Sequence, residues 1–121
     1  MITHLKFVSI PTRDQDRALA FWTEKVGFQV LTDQPFDGKQ RWIELRIPGA
    51  KTRVVLFTPD GAEARIGESF NGSFASADVQ STYRAMVEKG VDFDSPPQSQ
   101  PWGTFAIFKD PDGNRFVLSS K

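Results

Sequence analysis

The chain has 121 residues, room for one domain with a sizeable core. Its 15 Lys and Arg balance 15 Asp and Glu, so no excess positive charge exists to hold a nucleic-acid backbone or an anionic membrane. It has no cysteine, no signal-length apolar core in Met1-Ile-Thr-His-Leu-Lys6 and no membrane-length apolar run, so a soluble, cytoplasmic protein without disulfides or thiolate chemistry is expected.

Leu5 to Ile10 alternates as a strand does and is ended by Pro11. Asp14 reads as the N-cap or first-turn acid of a helix through Lys25, with Ala18, Leu19, Phe21, Trp22 and Val26 at helical spacing and Gly27 as its stop. That periodicity assigns Trp22 to the core rather than to a ligand. Strands are expected over Phe28 to Thr32, Arg41 to Ile47 and Thr52 to Thr58, separated by Pro35-Phe-Asp-Gly38 and Pro48-Gly49. Thr58-Pro-Asp-Gly61 closes the run, and 62–71 is a polar connector.

The order then begins again. Ser73 to Ala77 is a strand, and Asp78 starts a helix with Val79, Tyr83, Met86 and Val87 on one stripe. Gly90 stops that helix and Val91-Asp-Phe93 opens the next strand. Ser95-Pro-Pro-Gln-Ser-Gln-Pro101 is a loop or edge segment that cannot be helix. Phe105 to Phe108 and Phe116 to Leu118 flank Asp110-Pro-Asp-Gly113, a hairpin turn. Asp110, Asp112 and Asn114 alternate as calcium ligands do. An EF-hand loop, however, needs Gly where Arg115 stands and Glu at its twelfth place, where this sequence has Lys121.

Asp14 and Asp78 begin equivalent helices, and Gly27 and Gly90 end them at nearly the same remove. The chain is therefore expected to be α+β, two βαβββ modules at about 1–60 and 70–121 within one domain, each covering the other's sheet.

Strand parity assigns faces. Ile43, Leu45 and Ile47 belong under the helices, leaving Trp42, Glu44 and Arg46 to a concave face. By the same argument Leu5, Phe7 and Ser9, and Arg115, Val117 and Ser119, face away from the helices, while Val8, Ile10, Phe116 and Leu118 lie beneath them. Glu44 and Arg46 read equally well as a solvated surface pair.

Two segments carry a family resemblance: Arg13-Asp-Gln-Asp-Arg-Ala-Leu-Ala-Phe-Trp22 with Val26-Gly-Phe28, and Phe108-Lys-Asp-Pro-Asp-Gly-Asn114. Together, in repeated modules, they resemble the vicinal oxygen chelate superfamily of glyoxalase I, extradiol dioxygenases, fosfomycin resistance enzymes and bleomycin-binding proteins. The resemblance implies paired βαβββ modules whose curled mixed sheets surround a cavity, helices on the outer face, commonly in a homodimer. It also implies a divalent ion on His and Glu side chains, at positions that here fall on Phe7, Val117 and near Leu56 and Gly72. None of these offers a metal-binding side chain, and the only histidine, His4, is off the ligand-facing parity. No metal and no cofactor are expected.

Three functions compete. The first is a metal-free small-molecule-binding protein with Phe7, Ser9, Trp42, Glu44, Arg46, Leu56, Phe74, Trp102, Arg115 and Val117 around the ligand, the aromatic rings stacking and Glu44 meeting a cationic group. The second is a lyase, isomerase or dioxygenase-like enzyme with Glu44 as acid or base and Arg46 or Arg115 stabilising an anionic intermediate. The third is a regulatory or structural dimer with a vestigial pocket.

Overall fold

The computed structural model describes residues 1–68 and 70–120. Its chain forms two compact units, Met1–Ile66 and Gly67–Lys121. Both are α+β and repeat one topology, a mixed sheet whose first strand pairs parallel to its last.

In the first unit β1 is Phe7–Ile10, shorter than its alternation suggested because Leu5 lies outside it, largely exposed. Asp14 takes extended backbone and its carboxylate accepts from Arg17 N at 3.0 Å, capping α1, Gln15–Ala20. The helix does not continue as α to Lys25. Phe21–Lys25 is a π-helical turn in which Val26 N donates to the Phe21 carbonyl five residues back, and the Thr23 hydroxyl bonds to the Leu19 carbonyl. Adjacent Phe21 and Trp22 are both buried there, and Trp22 stacks on Phe28 at 5.4 Å.

β2 (Gln29–Pro35), β3 (Arg41–Arg46) and β4 (Arg53–Leu56) complete a sheet ordered β1-β4-β3-β2. A bulge between Val30 and Thr32 shifts the β2 register. Gln15 fastens α1 to this sheet, its Nε2 donating to the Arg41 and Leu56 carbonyls and its Oε1 accepting from Arg41 N. Ile10, Ile43, Leu45, Val54 and Leu56 form the sheet side of the core under α1. Each such side chain contributes roughly 1.5–3 kcal/mol.

The second unit has β5 (Phe70–Ser76), α2 (Val79–Glu88), β6 (Asp92–Phe93), β7 (Gln98–Gln100), β8 (Gly103–Lys109) and β9 (Arg115–Ser120), ordered β5-β9-β8-β6 with β7 also on β8. Asp78 caps α2 by accepting from Ser81 N. Val79, Met86, Ala106, Phe108, Phe116 and Leu118 are its core. Val87, assigned to the apolar stripe of α2, is instead 43 % exposed. The Pro-rich segment contributes β7, a short edge pairing.

The Asp110–Gly113 turn is built from its own side chains. Asp110 Oδ1 accepts from Asp112 N at 3.0 Å and Asn114 N at 2.9 Å, and its Oδ2 from Asn114 Nδ2 at 3.0 Å. Asn114, fully buried, accepts in turn from Gly67 N at 2.9 Å. Among the described residues no helix is long and apolar enough to cross a membrane.

Candidate functional site

β3 organises the chemistry of the first unit. With Ile43 and Leu45 fully buried on the α1 side, period-two geometry sends Trp42, Glu44 and Arg46 to the opposite face. Register brings neighbours to that face: Phe7 lies across from Arg53, Ser9 and Glu44 from Val55, Arg46 from Arg53, Thr32 from Glu44 and Gln34 from Trp42.

Trp42 is the centre of an aromatic cluster. Its ring lies 5.5 Å from Phe7 edge-on, 5.3 Å from Phe57 and 6.0 Å from Phe36, while Phe36 and Phe57 are 5.0 Å apart. Phe36 is 59 % exposed and the other three are half-buried, so the cluster keeps accessible apolar surface.

Beside it Glu44 is only 9 % exposed. Its Oε2 meets Arg53 Nη1 at 2.5 Å and its Oε1 accepts from Trp42 Nε1 at 3.2 Å. The Arg53 hydrogen bond holds the carboxyl below its usual range against the opposing pull of burial, with Trp42 and the charges of Arg53 and Lys6 adding to it. Both oxygens are engaged, so Glu44 is a fixed, neutralised anion that also orients the indole.

Of the ten residues expected around a ligand, Phe7, Ser9, Trp42, Glu44 and Arg46 share this one face. Leu56 does not. It pairs with Ile10 and belongs to the covered side, fully buried, because β4 runs in phase with Leu45 opposite Val54. Phe74 leaves as well: it lies across from Leu118 and, half-buried, packs against Phe108 at 6.3 Å and Phe116 at 5.6 Å, two core residues of the second unit. Arg115 and Val117 do fall on the face of β9 away from α2, alongside Ile107 and Lys109. There Arg115 is tied to Asp94 at 3.3 Å. Trp102 stacks on Phe105 at 5.4 Å and is 65 % exposed, also in the second unit.

Arg53, Phe57 and Phe36 are the participants sequence reasoning missed. The signal for the first two was present, since Arg53, Val55 and Phe57 alternate with Val54 and Leu56, but the phase of that apolar run needed its partner strand. Arg46, expected beside Glu44, is exposed and makes no ion pair among the described residues.

The donor chemistry does not fit the divalent ion that the resemblance implies. Phe7 and Val117 stand where the resemblance places ligands, and among the described residues no group of three or more His, Cys, Asp or Glu could hold a metal. His4 is exposed and bonded to Thr3.

The family model described as the Glyoxalase/Bleomycin resistance protein/Dioxygenase superfamily matches residues 2–118. The uncharacterized protein YetH of Bacillus subtilis (strain 168) is 39% identical over 120 residues, covering 98% of each chain. A superfamily member from Sphaerobacter thermophilus DSM 20745 superimposes with a TM-score of 0.88 at 32% identity, covering 99% of this chain and 98% of that one. TnmS3, an antibiotic binding protein from Streptomyces sp. CB03234, gives 0.82 at 35% identity, covering 98% and 96%.

Proposed function

The chain belongs to the glyoxalase/bleomycin resistance protein/dioxygenase superfamily, and from that premise we propose that it is a metal-free small-molecule-binding protein whose ligand rests on the aromatic cluster of the first unit. The observation that carries this reading is Trp42, ringed by Phe7, Phe57 and Phe36 on the sheet face away from α1 and fixed in orientation by Glu44. Likeness to an antibiotic binding protein at 35% identity supports it. The rings are pre-set, so a planar ligand gains stacking and apolar burial with little ordering cost.

The site argues against the enzyme reading in which Glu44 is acid or base. A carboxyl held ionised by Arg53, with both oxygens occupied, has no proton to give at neutral pH and is a weak acceptor.

A thermal-shift screen of metabolites and drugs tests the proposal. A ligand at about 100 times its Kd should add roughly 2.7 kcal/mol to stability. For any hit, Trp42→Ala should weaken binding at least about tenfold by calorimetry. Unchanged affinity in that variant would remove the aromatic cluster from the site.

Metal removal gives an independent check. Because the donor set is absent among the described residues, EDTA should leave the melting temperature unchanged. One tightly held transition metal per chain after dialysis would overturn the metal-free reading.

A further inference from the structure

We propose that the Trp42 face selects organic anions, planar aromatic molecules bearing a carboxylate or phenolate, with Arg46 and Arg53 receiving the negative group. This rests on the small-molecule reading and gives it a ligand class. It reverses the expectation that Glu44 would meet a cation.

Three observations combine. First, Glu44 has little to offer a cationic ligand, because its charge is already matched by Arg53, its other oxygen holds Trp42 and it is only 9 % exposed. A ligand cation would have to compete with Arg53 for a single, nearly buried negative charge. Second, Arg46 lies directly across from Arg53 on the same face, and Lys6, whose carbonyl accepts from Arg53 N, is near enough for its charge to act on Glu44. Three cations against one carboxylate leave a local surplus of two positive charges, in a chain whose overall charge is zero. Third, that surplus borders the aromatic cluster rather than open strand, since Arg53 is paired in register with Phe7 and Trp42 is two residues along β3 from Glu44.

The physical consequence is a site short of one anion. Like charges directly opposite on adjacent strands repel. The Arg53 side chain is 46% exposed, so its guanidinium presents further N–H donors beyond the one given to Glu44. A carboxylate placed between Arg46 and Arg53 relieves the repulsion and accepts charge-assisted hydrogen bonds, while its aromatic body covers Trp42 and Phe36. The apolar surface supplies affinity and the arginines decide which polar group is tolerated.

The test uses three isosteric probes on the full chain: 2-naphthoate, neutral 2-naphthamide and cationic 2-naphthylmethylamine. Titration calorimetry at low salt should rank naphthoate about tenfold or more above the amide, with the amine weakest, and the naphthoate advantage should shrink as salt rises. Arg46→Gln, at an exposed strand end where folding is not at stake, should erase most of the advantage, and Arg46→Lys should keep part of it. Trp42→Ala should weaken naphthoate and naphthamide alike. Equal affinity for naphthoate and naphthamide, or preference for the amine, would overturn anion selection while leaving the small-molecule reading standing. Failure of all three probes up to millimolar concentration would likewise overturn anion selection by the Trp42 face, while the broad thermal-shift screen decides the small-molecule reading separately.

Discussion

Replacing Arg53 with methionine should cost about 2–3 kcal/mol of stability at pH 7 and reverse the sign of the pH dependence that Glu44 contributes. Removing one partner of a fully buried ion pair costs about 3–5 kcal/mol, and the cost here falls below that range because Arg53 is about half exposed and Trp42 Nε1 still reaches Glu44. In the native protein the folded pKa of Glu44 lies below the model value of 4.5. Its contribution is therefore present above that value and lost as the pH falls through the lowered folded pKa. In Arg53→Met the main cause of the lowering is gone and burial pushes the carboxyl up. The deficit seen at pH 7 should then shrink as the pH falls toward 4.5. Denaturant melts at pH 7 and pH 4.5 read this directly, and adding Glu44→Gln to the variant should recover most of the loss at pH 7. An equal loss at both pH values would mean that Arg53 acts through packing of its stem rather than through Glu44.

Asp110→Ala should destabilise the second unit by about 3 kcal/mol, since it leaves the amides of Asp112 and Asn114 and the side-chain amide of Asn114 without their shared acceptor in a buried turn. The pH response of the native residue runs opposite to that of Glu44. Burial pushes Asp110 from 3.8 up to about 6, against the hydrogen bonds from Asn114 and Asp112 that pull it down. A raised carboxyl adds stability that is complete below 3.8 and is lost as the pH rises through about 6, a swing of about 3 kcal/mol at 1.36 kcal/mol per pKa unit. Asp110→Asn keeps an oxygen for the two backbone donors and cannot titrate. Urea melts between pH 4 and 7 should show the native slope and lack it in Asp110→Asn, and parallel curves would exclude Asp110 as its source.

Local signals were readable where one residue type has one physical use. Asp14 and Asp78 cap helices, Asp110-Pro-Asp-Gly113 turns the chain, and Arg41 to Arg46 alternates cleanly enough to set its own faces. Repetition of those signals was enough to expose two βαβββ units. The candidate site was legible only along β3 and β1. Arg53-Val-Val-Leu-Phe57 is apolar at four successive positions, so alternation could not fix its phase, and the position nearest the resemblance's ligand site, Leu56, fell on the wrong face. Phe74 failed likewise, among small residues with no alternating contrast. Arg53 as the partner of Glu44 depended on the β3–β4 register, a property of the intervening loop and not of either strand. The π-helical turn depends on backbone hydrogen bonds shifted by one residue, to which apolar spacing is blind.

The parallel pairing of β1 with β4, and of β5 with β9, also governs the order of events during synthesis. In each unit the strand made first waits for the strand made last, and a helix and at least two strands lie between them in the chain. Nearly the whole length of a unit must emerge before its sheet can close, which makes folding slow for its size and leaves a strand edge exposed to other chains in the interval. The first unit can close while the second is still being made. A chain stopped before Arg115 would carry β5 without β9, its one neighbour among the described residues, and so present a ready template for aggregation.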